Sequence, residues 1–162
     1  MEKRFRNLVA CVCVCVAGAA SAVRAAEDAP VLMMGDSMMR LLGVAMEKEL
    51  KAAGVQPATS FSSLASGLAR LDAFDWFTKT SALMREHKPA TVVVSLGAND
   101  RQTLKDTTGR VVQFGTPEWE REYALRIGRI MDELIKGGAT RVIWLLLPDM
   151  REPVQQEYAK LV

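Results

Sequence analysis

The stretch TVVVSLGAND, residues 91–100, decides the fold of this 162-residue chain. Its first six residues are β-branched or apolar almost throughout, which is typical of a strand buried in a parallel sheet. Residues 31–34 form a second apolar run, followed at once by the tripeptide GDS at 35–37. Ligands bind beyond the carboxyl ends of the strands of an open parallel sheet. We therefore expect Ser37 and Asn99 to lie side by side at one edge of the sheet.

The rest of the chain alternates short apolar runs with helical periodicity, which predicts a sheet with helices on its faces. Four strands are predicted, at Val31–Met34, Thr59–Leu64, Thr91–Leu96 and Arg141–Leu147. Three helices are predicted, at Ser37–Ala53, Asp75–His87 and Thr116–Lys136. Residues 101–115 are predicted to form a polar excursion with its turn at 106–109.

The apolar face of each helix predicts which side chains enter the core. In the first helix the predicted stripe is Met38, Leu41, Leu42, Ala45 and Met46. In the last helix the predicted buried residues are Trp119, Tyr123, Ile127, Ile130, Met131 and Leu134. The tryptophans Trp76, Trp119 and Trp144 are expected to be core residues rather than platforms for a ligand.

Residues 1–26 have the layout of a secretory signal peptide. A basic start precedes the apolar run Leu8–Ala20, and small residues follow that run. A membrane-spanning helix needs about 20 apolar residues, so we expect cleavage and no stable membrane anchor afterwards. The mature domain would be 27–162, periplasmic or secreted by a bacterium. All three cysteines lie in the apolar run, which excludes disulfides and cysteine chemistry from the mature chain.

The charge balance excludes one class of partner. The whole chain has 21 basic and 19 acidic residues, and removing residues 1–26 leaves 17 and 18. No basic stripe remains after that removal, so we expect no nucleic-acid partner. The remaining length is sufficient for one domain with one hydrophobic core.

Three groups predict a site that stabilises negative charge. Ser37 opens a helix, where the helix dipole and the free amides favour an anion. Gly67 follows the second strand, and a glycine lets a backbone N–H approach a ligand closely. With the Asn99 carboxamide, the amides of Ser37 and Gly67 would form a three-donor oxyanion hole. Simpler interpretations are an N-cap serine, a loop glycine and a turn asparagine.

These motifs resemble the first three sequence blocks of the SGNH (GDSL-type) hydrolases. The matching residues are Gly35, Asp36 and Ser37, then Gly67, then Gly97, Asn99 and Asp100. The resemblance implies a flavodoxin-like three-layer α/β/α fold with a mostly parallel sheet. It also implies that Ser37 is the nucleophile and that Ser37, Gly67 and Asn99 form the oxyanion hole, without metal or cofactor. Asp100 is expected to brace its own turn.

Further strings are similar to an exported branch of that family whose substrates are mostly undefined. They are Ser66-Gly67-Leu68, Asp75-Trp76, Asn99-Asp100-Arg101-Gln102, Trp119 with Tyr123 and Arg126, and Trp144 before Pro148. The substrates implied are small acyl esters, among them O-acylated glycans. Ester hydrolysis and acyl transfer both stay open.

The family's fourth block, Asp-x-x-His, does not occur in residues 1–162. In the family it supplies the base that a serine hydroxyl needs at neutral pH. The single histidine, His87, precedes the strand at 91–96, and six residues at ~3.3 Å each separate the two strand ends by roughly 20 Å. We therefore expect a hydrolase domain without its C-terminal strand and helix, inactive as it stands. The alternatives are a non-catalytic module that binds an acylated glycan and a gene fragment without function.

Overall fold

The computed structural model describes residues 29–148. The strands are β1 (Val31–Gly35), β2 (Ala58–Ser62), β3 (Thr91–Ser95), β4 (Leu104–Lys105), β5 (Val111–Val112) and β6 (Arg141–Trp144). The helices are α1 (Ser37–Ala52), α2 (Trp76–His87) and α3 (Pro117–Lys136). Four strands form a parallel sheet in the order β2-β1-β3-β6, and β4 pairs with β5 in a separate antiparallel hairpin.

The sheet is the middle layer of three, which confirms the predicted flavodoxin-like α/β fold. Successive side chains of a strand point to opposite faces, so β1 and β3 supply both sides of the core. On one face α1 packs through Met39 against Met33 and Val93. On the other face Leu32 and Val92 belong to a larger cluster that includes the buried side chains of α2 and α3.

Aromatic side chains dominate the larger cluster. Trp76 and Trp119 are completely buried, and Trp144 packs against the cluster while partly buried, as predicted for core tryptophans. The ring of Trp119 stacks on that of Tyr123 with their centroids 4.6 Å apart. In α3 the predicted burial of Trp119, Tyr123, Ile130 and Leu134 is confirmed, whereas Ile127 and Met131 are only half-buried.

The predicted stripe of α1 is wrong. Its buried residues are Met39 and Gly43, while Leu41 is 75% exposed. Leu42 and Ala45 are also exposed, and Met38 and Met46 are half-buried. The physical reason lies at Gly43, where an added Cβ would come 2.7 Å from the Cβ of Ser60. The helix turns Met39 and Gly43 toward the sheet, and at position 43 the space beside Ser60 admits only a glycine.

The segment 101–115 has more structure than a polar excursion. Its hairpin buries Leu104 and Val112, although neither strand is long enough to show an alternating pattern. The predicted turn is confirmed, since the Gly109 N–H donates to the Asp106 carbonyl at 3.0 Å. Strand ends also differ from prediction, because β2 begins one residue earlier and β6 ends at Trp144.

Two predictions fall outside the described residues. They are the signal peptide at 1–26 and the arrangement of the chain after Pro148, where a further strand would belong. Within residues 29–148, none of the helices combines the length and the apolar character that crossing a bilayer requires.

Candidate active site

Ser37 and Asn99 follow two strands that pair side by side. In the register of β1 with β3, Gly35 lies opposite Ser95. Ser37 stands two residues beyond this pair on one chain segment, and Asn99 stands four residues beyond it on the other. Both therefore follow the carboxyl edge of the sheet, where the parallel topology was predicted to place them.

The first glycine of the GDS motif permits a close convergence of three elements. A Cβ on Gly35 would lie 2.8 Å from the Ser95 carbonyl carbon and 2.9 Å from the Cβ of Met39. Any larger residue would push β1 away from β3 or lift α1 from the sheet. On the neighbouring strand, Gly97 has a φ of 133°, a conformation that favours glycine.

The Asp36 carboxylate connects the two loops that carry the candidate residues. Its Oδ1 accepts the Met38 N–H at 2.8 Å and caps α1, while its Oδ2 accepts the Ala98 N–H at 3.2 Å. Ser37 and Asn99 are each directly adjacent in sequence to one of these anchored amides. Burial raises the pKa of Asp36, the two N–H bonds lower it, and the nearby charge of Asp100 raises it.

Asp36 occupies the N-cap of α1, so the interpretation of Ser37 as an N-cap serine is wrong. Ser37 is the first helical residue and is half-buried. Among residues 29–148 its hydroxyl has no hydrogen-bond partner. The serine hydroxyl is therefore not used in building the helix terminus.

The Asn99 side chain reaches across to the loop that contains Gly67. Its Nδ2 donates to the Ser66 carbonyl at 2.9 Å, and the backbone carbonyl of Asn99 accepts Gln102 Nε2 at 2.6 Å. The Ser66 hydroxyl accepts the indole N–H of Trp76 at 3.1 Å, which ties the same residue to α2. A carboxamide nitrogen carries two hydrogens, so one N–H of Asn99 is left to donate elsewhere.

Gly67 lies in a gap that no side chain could enter. A Cβ on it would come within 2.8 Å of Asp100 Oδ2 and closer still to Oδ1. The contact with Asp100 therefore requires a glycine in this loop, and a part for its N–H in an oxyanion hole stays a prediction. Within residues 29–148 the Gly67 N–H has no hydrogen-bond partner.

The Ser66–Gly67 peptide has a definite orientation relative to Asn99. Its carbonyl faces Asn99 Nδ2. The C=O and N–H of a trans peptide point in opposite directions, so the Gly67 N–H is directed away from that side chain. For both groups to bind one oxyanion, this peptide would have to rotate. The three-donor oxyanion hole stays a prediction.

Asp100 does more than brace its own turn. Its N–H does bond to the Gly97 carbonyl at 3.0 Å, but its carboxylate binds a different loop. Oδ2 accepts the Leu68 N–H at 2.9 Å, and Oδ1 accepts the Ala69 N–H at 2.8 Å. The Tyr123 hydroxyl donates to Oδ2 at 2.8 Å. Burial raises the pKa of Asp100, and these three donors oppose the rise.

The role of Tyr123 is one that sequence reasoning missed. The spacing of α3 predicted a buried ring, and the ring is 2% exposed. Only the folded chain brings its hydroxyl to a carboxylate 23 positions earlier in the sequence. A tyrosine rather than a phenylalanine on a buried face was the one available signal, because a buried phenol usually finds a polar partner.

His87 lies at the other edge of the sheet. It ends α2, and the chain then enters β3 at Thr91, whereas Ser37 follows the carboxyl end of β1. Its Nε2 lies 3.9 Å from Glu86. As expected, His87 is not placed to act on Ser37.

A cavity of about 490 Å³ lies behind the Gly67 loop, between residues 69–72, the hairpin and α3. Arg126 and Ala69 are among its lining residues, but Ser37 and Asn99 are not. It therefore does not coincide with the candidate nucleophile.

A family model matches residues 30–162, which is most of the chain. The chain belongs to the DUF459 family. The description of this family is a protein of unknown function. The DUF459 match includes both loops, and with them Ser37, Gly67, Asn99 and Asp100. A comparison with curated proteins finds no match.

Proposed function

We propose that this DUF459 chain is an SGNH/GDSL-type serine ester hydrolase domain. The Ser37 hydroxyl adds to the carbonyl carbon of an acyl ester and gives up its proton to a base. The tetrahedral intermediate collapses to an acyl-serine as the protonated alcohol leaves. Water then adds to the acyl-serine, and the carboxylic acid departs while Ser37 regains its proton.

The observation that carries this proposal is that Asp36, and not Ser37, caps α1. Asp36 caps α1 and holds the Ala98 amide, so the adjacent serine hydroxyl is left without a partner among the described residues. A serine that served only the helix terminus would occupy the N-cap itself. The position beside Asn99 at the carboxyl edge of the sheet is where a nucleophile would be useful.

The nearby donors suit the charge that would develop in this reaction. The Ser37 N–H is at a helix N-terminus, and Asn99 Nδ2 has a second hydrogen to donate. The Gly67 N–H would join them after rotation of the Ser66–Gly67 peptide. One such donor is commonly worth about 10²–10³ in kcat.

Among residues 29–148, no histidine lies at the carboxyl edge of the sheet, where the general base of this reaction would act. The single histidine is at the opposite edge of the sheet, and no Asp-x-x-His occurs. A triad that lacks a member retains only ~10³–10⁴-fold acceleration over water. The 162-residue chain is therefore proposed to be nearly inactive unless a base is supplied.

The substrate class and the location rest on resemblance and on the leader pattern. Small acyl esters, and O-acylated glycans in particular, fit an exported enzyme of this kind, with no cofactor, metal or nucleic acid involved. Either water or the hydroxyl group of a second molecule can accept the acyl group. Release of free carboxylic acid indicates hydrolysis, and formation of a new acyl ester indicates transfer.

Added imidazole offers a test that uses the chain as it is. Hydrolysis of p-nitrophenyl acetate is measured with and without imidazole for wild type, Ser37→Ala and Ser81→Ala, a control serine on α2. We expect wild type and Ser81→Ala to exceed Ser37→Ala in an imidazole-dependent rate. Equal rates in all three proteins would contradict the assignment of Ser37 as nucleophile.

A second candidate is a module that binds an acylated glycan without cleaving it. This candidate is favoured by the position of His87 at the opposite edge of the sheet from Ser37. Binding a ligand beside Asn99 needs no general base, whereas cleaving it does. An O-acetylated oligosaccharide would then bind wild type and Ser37→Ala equally, and no acetate would be released with or without imidazole.

A further inference from the structure

Two residues of α3, one helical turn apart, are connected to the loop that follows Gly67, Arg126 directly and Tyr123 through Asp100. Tyr123 donates its hydroxyl to Asp100 Oδ2 at 2.8 Å. The same carboxylate accepts the N–H groups of Leu68 and Ala69 at 2.9 and 2.8 Å. Tyr123 thus acts on this loop through Asp100.

Arg126 binds the same two loop residues from their carbonyl side. Its Nη1 donates to the carbonyls of Leu68 at 2.6 Å and Ala69 at 3.2 Å. Its Nη2 donates to the carbonyl of Lys105 in the hairpin, and its Nε contacts Glu122 at 3.3 Å. The guanidinium is thereby joined to three separate segments of the chain.

All four backbone polar groups of Leu68 and Ala69 are therefore hydrogen-bonded, two by Asp100 and two by Arg126. Gly67 directly precedes this fixed pair, and Asn99 directly precedes Asp100. The distance between the two candidate oxyanion donors is thus set by groups that α3 holds in place.

Burial of an arginine in this arrangement is costly, which argues for a geometric role. Arg126 is 7% exposed, and although its Nε pairs with Glu122 at 3.3 Å, its two Nη atoms donate to backbone carbonyls. Apolar residues of similar volume often stabilise a protein as well as a buried charge does. Packing alone would not require a guanidinium that donates hydrogen bonds to the carbonyls of Leu68 and Ala69.

We propose that Tyr123 and Arg126 are positioning residues, which hold Leu68 and Ala69 fixed relative to Asn99, so that rotation of the Ser66–Gly67 peptide alone brings the Gly67 N–H to an oxyanion shared with Asn99. This inference rests on the proposed hydrolase function. A misplacement of about 1 Å in a catalytic group can cost about 10²-fold in rate. Neither residue touches the substrate, so substitutions should lower kcat while leaving KM unchanged.

The kinetic test compares two arginines of the same helix. Arg126→Met and Arg126→Lys are measured with p-nitrophenyl acetate in the presence of imidazole. The matched control is Arg129→Met, whose guanidinium lies 3.8 Å from the Phe77 ring and, among residues 29–148, makes no hydrogen bond to Leu68 or Ala69. We expect Arg126→Met to lower kcat about 10–100-fold with KM within about twofold. Arg126→Lys should recover part of the loss, and Arg129→Met should match wild type.

Tyr123→Phe is the second variant, because loss of Arg126 could disrupt folding. It removes one hydroxyl and keeps the ring stack with Trp119. We expect a loss of kcat of about tenfold with KM within about twofold, because the Gly67 loop loses one of the groups that fix Asp100. A purely structural role would lower the folded fraction and leave kcat per folded molecule unchanged.

A second readout separates this inference from the proposed function. In a ¹H–¹⁵N NMR spectrum, the Gly67 amide and the Asn99 carboxamide should shift in Arg126→Met and Tyr123→Phe but not in Arg129→Met. If wild type hydrolyses no better than Ser37→Ala, the proposed function fails, and these resonances still decide the positioning role. Unchanged resonances and unchanged kcat in both α3 variants would overturn the inference.

Discussion

Gly67 and Asp100 are in contact so close that the glycine cannot carry a side chain. A Cβ at position 67 would lie 2.6 Å from Cγ of Asp100. The carboxylate fills this space because it accepts the N–H groups of the next two residues. The glycine is thus required by the carboxylate that fixes its own loop, whatever its N–H binds.

Gly67→Ala is expected to destabilise the protein by about 1–3 kcal/mol, because the methyl group overpacks a buried polar contact. Urea unfolding measures the loss. Gly128→Ala is the control, since a Cβ there meets nothing within 4 Å and alanine should stabilise a helix by up to about 1 kcal/mol. A Gly67→Ala protein as stable as wild type would show that the contact with Asp100 is not tight.

Asp36→Asn is expected to cost about 1–3 kcal/mol of unfolding free energy. Asparagine can still cap α1, but its amide would face the Ala98 N–H and leave that donor unpaired. Asp75→Asn, at the exposed N-cap of α2, should cost no more than a few tenths of a kcal/mol. Equal losses in the two variants would show that Asp36 does not link the loops of Ser37 and Asn99.

Tyr123→Phe is expected to change how stability depends on pH. Burial raises the folded-state pKa of Asp100 above its ordinary value of 3.8, so its contribution to stability is complete below that value and lost as pH rises through the folded pKa. Removing the hydroxyl raises the folded pKa further, so the loss should extend to higher pH. Urea unfolding at a series of acid to neutral pH values measures the shift.

The control for this effect is Asp100→Asn, alone and with Tyr123→Phe. Without the carboxyl group, the two proteins should have parallel stability–pH curves. A persistent difference in their pH dependence would assign the effect to a group other than Asp100.

Met39→Ala is expected to cost about 2–5 kcal/mol, because Met39 is completely buried between α1 and the sheet. Leu41→Lys should change the unfolding free energy by no more than about 0.5 kcal/mol, since Leu41 is mostly exposed. Thermal or urea unfolding ranks the two. A larger loss in Leu41→Lys than in Met39→Ala would show that α1 buries the side of the helix predicted from the sequence, and not the side with Met39.

The sequence predicted the sheet and the edge that Ser37 and Asn99 both follow. The central strands β1 and β3 are apolar runs that lead into Gly35 and Gly97. Such a pattern involves only residues that are close in sequence, so it can be recognised without the structure. The rotation of α1 was not predictable in this way. The side that faces the sheet includes Gly43, beside Ser60, and helical periodicity gives no weight to a glycine.

The roles of the candidate site residues stay a prediction, and the connections between those residues were not predicted. Ser37, Gly67 and Asn99 were found from motifs and from their places after strands. The links between them come from Asp36, Asp100 and Tyr123, whose partners lie 62, 32 and 23 positions away in sequence. Local patterns contain no information on such pairs. The orientation of the Ser66–Gly67 peptide likewise depends on a side chain from another strand.

Covalent labelling shows whether Ser37 is the nucleophile. The protein is treated with a fluorophosphonate ester in the presence of imidazole, and the modified residue is located by mass spectrometry of its peptides. We expect one phosphonate group on Ser37, strongly reduced labelling in Asn99→Ala, and none in Ser37→Ala. Labelling that is absent from Ser37, or that is the same in Ser37→Ala as in wild type, would contradict this role for Ser37.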